Sequence, residues 1–219
     1  MNSLRERLEL VEGRVQSACQ RVGRARGEVT LIAVTKKFSA AVIAEAYALG
    51  LRAFGENYVQ EFAEKRPALV ALTEARFHFI GHLQSNKARI AAELFHAIET
   101  VDSAKLAQRL NDCGRPLEVM IEVKLSGETS KAGAAPDDLP QLLDTIRACP
   151  HLRFTGLMTI PPWSDDPEQS RPYFRKLRAL ARAHSVAGLS MGMSHDLEAA
   201  IEEGATHIRV GTALFGPRS

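Results

Sequence analysis

The stretch EVTLIAVTKKFSAAVIAEAYALG, residues 28–50, decides how the rest of the chain is read. Its first part, EVTLIAV (28–34), is short, apolar and rich in β-branched residues, the pattern of a buried strand. Its last part, SAAVIAEAYALG (39–50), opens on Ser39 and closes on Gly50, the start and stop signals of a helix. A strand feeding directly into a helix is half of a βαβ unit. Between the two stand Lys36 and Lys37. A buried ammonium is costly unless paired or neutralised, so lysines at the end of a core strand call for an explanation.

The same unit recurs along the chain. Further β-rich runs lie at 51–55, 76–81, 96–101, 116–125, 152–160, 188–193 and 206–211, with helical runs between them. Ser103 and Ser194 occupy N-cap positions, and Gly114 and Gly204 follow helix ends. Eight strands alternating with seven helices predict an α/β chain closed into a (β/α)8 TIM-type barrel. The competing architecture is an open doubly wound sheet, weakened because no G-x-G-x-x-G follows the first strand. Leu4, Leu8, Val11 and Val15 recur at helical spacing, which places an extra leading helix at 1–24 before the barrel at 28–216. No linker divides residues 1–219, so one domain is expected. PPWSDDPEQS (161–170) reads as one long surface loop.

Bulk properties exclude several classes. The 219 residues are 45% apolar and 25% charged, as in soluble globular proteins. A formal charge of +2 and no basic run argue against nucleic-acid binding. Cys19, Cys113 and Cys149 are odd in number and widely spaced, which predicts reduced thiols in a cytoplasmic setting. The charged N-terminus lacks the apolar core of a signal peptide, and no apolar run is long enough to span a membrane.

In a barrel of this kind the working face is the C-terminal end of the strands. There the chain sets Lys36 and Lys37, Asn57 in GENYVQE, His82 in GHLQSNK, Asp102, SGETSKAG (126–133), Met158 and Thr159, GMSHD (192–196), and Arg209 with GTALFG (211–216). GMSHD and VGTALFG both place Gly beside Ser or Thr at a helix start, where unpaired amides can cradle an anion. Phosphate sites in barrels recur after strands seven and eight, which is where Ser194, Gly211 and Thr212 fall. The plain alternative is N-capping by Ser194 and a turn at Gly211.

Side chains alternate faces along a strand, so only one of Lys36 and Lys37 points into the mouth. Alternation does not choose between them. A desolvated lysine there can form a Schiff base with a carbonyl. Otherwise both reach to water. Arg209, inside the apolar run HIRVG, points inward to face a ring nitrogen or outward to Glu202 or Glu203. His78 and His82 are four apart, a spacing of roughly 13 Å on a strand, so they make no metal pair and no metal is expected.

Together AVTK, GENYVQE, FHFIGHLQSNK, SGETSKAG, GLMTIPP and LSMGMSHDLEAAIEEGATHIRVGTALFG resemble the pyridoxal-phosphate homeostasis protein family, and they occur in the family's order from about Val29 to Gly216. The family in turn is similar to the barrel domain of alanine racemases. The resemblance implies a barrel of the alanine racemase N-terminal-domain kind holding pyridoxal 5'-phosphate (PLP). Lys36, ending AVTK, matches the lysine that carries the cofactor as an internal aldimine, with Lys37 as its solvent-facing neighbour. Ser194, Gly211 and Thr212 match the phosphate segment, and Arg209 matches the residue facing the pyridine nitrogen. Asn57, His82 and Met158 fall in motifs lining the pocket. The chain departs from the family at Thr35, where Ser is commoner, and at Lys124, where Asn is common.

A racemase needs a second acid/base on the opposite face of the cofactor and brings a further β-domain to build it. Ser219 follows directly on the last loop, so no such domain is expected here. The resemblance therefore implies a PLP binder in cytoplasmic homeostasis or carriage, a monomer making transient contact with PLP-dependent apoenzymes, without strong catalysis of its own. The alternative is a racemase for a small amino acid, with His82 or Lys37 as second base. A third reading is a cofactor-free lysine aldolase. Lys87 and Lys131 are the first places to look for a second PLP site.

Overall fold

The strands close. In a computed structural model describing residues 2–126 and 132–217, eight parallel strands pair in chain order and the last returns to the first. They are β1 (Thr30–Val34), β2 (Ala53–Glu56), β3 (Arg76–Phe79), β4 (Ala97–Val101), β5 (Leu117–Glu122), β6 (Leu152–Met158), β7 (Gly188–Met193) and β8 (His207–Val210). At the closure Ile32 is opposite Arg209. The doubly wound alternative is thereby excluded.

Helices α2 (Ala40–Ala48), α3 (Val59–Lys65), α4 (Ala88–Leu94), α5 (Ala104–Asn111), α6 (Leu139–Arg147), α7 (Arg171–Ala183), α8 (Leu197–Glu202) and α9 (Thr212–Phe215) cover the outside. Their apolar faces and the outward side chains of the strands make one continuous core, with Phe54, Phe62, Phe77, Phe79 and Phe174 fully buried. The expected leading helix is α1 (Leu4–Arg21), opened by a capping box between Ser3 and Glu6. It buries Leu4, Val11 and Val15 and is tied to α8 by Arg14–Glu198 and Arg21–Glu202.

Three local expectations change. The run after β2 is helical only to Lys65 and continues as a 3-10 turn, because Pro67 lacks an N–H and disfavours α geometry before it. β5 stops at Glu122, with Val123 reduced to an isolated bridge to Ala134. Ser194 does not cap α8; Asp196 stands at that N-cap, and the Ser194 hydroxyl bonds elsewhere. The SGETSKAG loop lies largely outside the described residues, and Lys131 with it.

Candidate functional site

The mouth of the barrel holds a cavity of about 270 Å³ in which Lys36, Asn57, Ser194, Arg209, Gly211 and Thr212 converge. Ile80, Ile160, Trp163, Met193 and His195 supply the rest of its wall with Val34. Two larger cavities, of about 750 and 460 Å³, lie between α4 and α5 and at the N-terminal ends of the strands. Neither is lined by Lys36, Asn57, His82, Met158, Ser194, Arg209, Gly211 or Thr212, so convergence rather than size marks the site.

Lys36 is half-buried and Lys37 exposed. The sequence expected one inward and one outward lysine from strand alternation. The outcome holds, but the cause is a turn: β1 ends at Val34, and Lys37 adopts a left-handed backbone with φ of 66°. Both neighbours of Lys36 are clamped. Thr35 Oγ1 donates to Glu56 Oε1 at 2.8 Å, and Thr35 O accepts from Lys65 Nζ at 3.0 Å. Lys65 Nζ also reaches Glu56 Oε1 at 2.9 Å and Glu61 Oε1 at 2.5 Å. Glu61 Oε1 in turn accepts from the Lys37 amide at 2.5 Å. Burial pushes the Glu56 carboxyl up, and the hydrogen bond and charge of Lys65 offset this only in part.

On the neighbouring strand β8 the wall is Arg209, buried in the barrel interior rather than paired with Glu202 or Glu203. Its Nη1 donates to Ser190 Oγ at 2.7 Å and its Nη2 to Thr159 O at 2.9 Å. Ser190 Oγ passes the contact on to Glu99 Oε2 at 2.6 Å, and Glu99 Oε1 meets His78 Nδ1 at 2.7 Å. Burial alone would raise the Glu99 carboxyl, but the His78 hydrogen bond and the charges of His78, His207 and Arg209 bring it down to about 2. Burial lowers Arg209, opposed by Glu99, Glu122 and Asp196.

The third wall is the turn from β8 into α9. The amides of Gly211 and Ala213 both donate to Ser194 Oγ at 3.2 Å. Two N–H groups at the start of α9 thus converge on one oxygen, here the Ser194 hydroxyl, at the wall of the cavity. Asn57 is held close to Gly81, where a Cβ would come within 2.3 Å of Asn57 O, so only glycine fits. Asn57 Oδ1 is buried and, among the described residues, without a hydrogen-bond partner.

His82 and Met158 stand apart from this group. His82 lines an adjoining cavity of about 270 Å³ with Glu122 and Lys124, sharing Asn57, Ile80 and Ile160 with the first. It is exposed and 3.7 Å from Asp102. Met158 is fully buried on β6, two residues before Ile160, and lines neither cavity. Glu56 was visible in the sequence only as one polar residue of GENYVQE, beside Asn57 and Gln60, and Lys65, Glu99, Ser190 and Trp163 were not singled out at all. Trp163 is 71% exposed and lies against His195 with ring centroids 5.0 Å apart. Among the described residues no group of three or more His, Cys, Asp or Glu is placed to hold a metal ion, and no helix is long and apolar enough to cross a membrane.

A closed barrel with this mouth matches a known class: residues 11–219 fit the family described as alanine racemase, N-terminal domain. An alanine racemase from Clostridium difficile shares the fold, with a TM-score of 0.75 at 13% identity over 98% of this chain and 56% of that one. Closer relatives narrow the class. The pyridoxal phosphate homeostasis protein of Pseudomonas aeruginosa is 46% identical over 100% of this chain and 97% of its own length. That of Aquifex aeolicus is 44% identical over 97% of each. PipY of Synechococcus elongatus, solved with PLP bound, superposes with a TM-score of 0.84 at 40% identity, covering 98% of this chain and 100% of that one. The chain belongs to the pyridoxal phosphate homeostasis protein family.

Proposed function

We propose that this protein binds PLP through Lys36 and serves in PLP homeostasis or carriage, with no strong catalysis of its own. The observation that carries the reading is the convergence of an amine, a fixed guanidinium and an anion cradle on one cavity. The residues fit the cofactor's groups. Gly211 N and Ala213 N, which here converge on Ser194 Oγ, would turn to a phosphate oxygen with the Ser194 hydroxyl donating beside them and Thr212 at the cavity wall. Arg209, immobilised by Ser190 and Thr159, would donate to the ring nitrogen and leave it unprotonated. Asn57 Oδ1, buried and unsatisfied, would accept from a donor on the ring.

When bound, the cofactor supplies an aldehyde to which an amine adds reversibly. Lys36 is the amine set in the cavity; the Lys37 backbone turns its side chain out to solvent. Racemisation needs a second acid/base across the ring from Lys36. The two candidates are badly placed for it: His82 opens into the adjoining cavity beside Asp102, and Lys37 is exposed. This favours holding and release over turnover. In this reading residues 1–219 act as one domain, a cytoplasmic monomer that meets PLP-dependent apoenzymes transiently.

The test is absorbance and exchange on one preparation. Purified protein mixed with PLP is expected to show protein-bound visible absorbance distinct from free PLP, and Lys36→Ala to lose it. A colourless wild-type protein would overturn the binding. Solvent-deuterium exchange at the α-carbon of alanine or serine, at rates comparable to racemases, would overturn the non-catalytic role.

A further inference from the structure

We propose that Lys65 is a positioning residue that directs the aldehyde to Lys36 and away from Lys37. The inference rests on the attachment reading above and adds the device that selects the amine. Lys36 and Lys37 are chemically equivalent and adjacent, so nothing intrinsic to the side chains separates them. Their surroundings do. One ammonium, Lys65 Nζ, connects the residues on both sides of Lys36. It donates to Thr35 O at 3.0 Å on one side. On the other it meets Glu61 Oε1, which accepts the Lys37 amide. Glu56 Oε1 completes the set, binding both Lys65 Nζ and Thr35 Oγ1.

The three N–H groups of Lys65 therefore have three acceptors: a carbonyl and two carboxylates. Its side chain is 9% exposed. With its protons so engaged it is a poor nucleophile, which removes a third lysine from competition. Its work is on the backbone. A left-handed lysine is strained and persists only where surrounding contacts over-determine it. Here those contacts are the Glu61 bond to the Lys37 amide and the Lys65 charge that holds Glu61 in place. With the turn held, the Lys36 amine stays in the cavity and adds to the aldehyde carbon. A C–N bond forms, the amine's two hydrogens leave with the carbonyl oxygen as water, and no redox partner is needed. Without the clamp the turn relaxes and Lys37 can swing toward the same mouth.

The experiment uses the full chain with PLP, borohydride reduction, and fragmentation of the peptide spanning residues 36–37. Wild type is expected to carry the label on Lys36 alone. Lys65→Met, which keeps the apolar stem and removes the donors, is expected to move at least a tenth of the label to Lys37; Lys65→Arg should restore the wild-type pattern at least in part. Glu61→Ala, which removes the acceptor of the Lys37 amide and spares Lys65, should shift label in the same direction and covers the case in which Lys65→Met does not fold. Amide hydrogen exchange without PLP gives an independent readout, with the Lys37 N–H expected to exchange at least tenfold faster in both variants. Wild-type label absent from Lys36 would sink the cofactor reading and leave the exchange result to judge the clamp. Wild-type label on Lys36, with variants that keep it there exclusively and leave Lys37 exchange unchanged, would overturn the role of Lys65.

Discussion

Two buried glutamates support different walls of the site, and burial and bonding shift their carboxyls in opposite directions. Glu56 ends β2, where its carboxylate meets Thr35 and α3; Glu99 lies in β4 among the polar groups of the barrel interior; both are fully buried. Burial pushes each carboxyl upward. At Glu56 burial prevails: Oε1 is shared by Thr35 and Lys65, and Oε2 has no partner among the described residues. At Glu99 it is overcome, because each oxygen has its own hydrogen bond and three basic groups surround the carboxylate. Desolvation is common to both; satisfaction of the second oxygen, and the local charge, separate them. The Lys36 side of the mouth is thus held by a rim cluster with an incomplete set of bonds, and the Arg209 side by a complete one.

Removing the complete network should cost most. Glu99→Gln leaves His78 and Arg209 without their shared counter-charge, and about 3–5 kcal/mol of stability is expected to be lost in urea unfolding. Ser190→Ala cuts only the bridge between Glu99 and Arg209, and about 1–3 kcal/mol is expected. Glu56→Gln should cost less than about 1 kcal/mol at neutral pH, because Lys65 keeps Glu61 as a partner and an already penalised charge is removed.

The pH dependence sharpens the contrast because its sign differs. Glu99 is depressed on folding, so its stabilisation is fully present above the unfolded glutamate value of about 4.3 and is lost as pH falls toward its folded value of about 2. Glu56 is raised, so folding takes up a proton there. Its contribution is best below about 4.3 and declines as pH rises through the elevated folded value. Urea midpoints across this range are expected to lose part of their acid-side fall in Glu99→Gln and to lose part of their decline above the unfolded value in Glu56→Gln. Identical profiles in the two variants would break the comparison. The smallest effect is expected at the rim: Trp163→Ala should change stability by no more than about 0.5 kcal/mol, since the indole is largely exposed. As the chain's sole tryptophan, Trp163 should show quenched fluorescence when PLP enters the cavity.

The barrel was legible because β-branched runs and capped helices alternate without interruption from Val29 onward. The pair Lys36 and Lys37 was legible as charge at the end of an apolar strand, with Lys36 preferred only through the AVTK resemblance, and Arg209 as a charge inside a strand. Glu99 sits in the same kind of run, HAIETV, and carried the same signal unread. Ser190 carries none, being small and unremarkable in GLSMGM. Glu61 and Lys65 lie on α3, where charged residues read as an ordinary solvated face; only the return of α3 toward Thr35 makes them structural. Ser194 was read locally as a cap, whereas its partners are amides 17 and 19 residues onward, a pairing made by the fold. Local patterns reveal elements and out-of-place charges; bonds across strands become visible only when the barrel closes.

The most direct measurement is borohydride reduction of the wild-type protein with stoichiometric PLP, followed by peptide mapping. One modified peptide is expected, with the phosphopyridoxyl group on Lys36. Label on another lysine, or none retained, would contradict it.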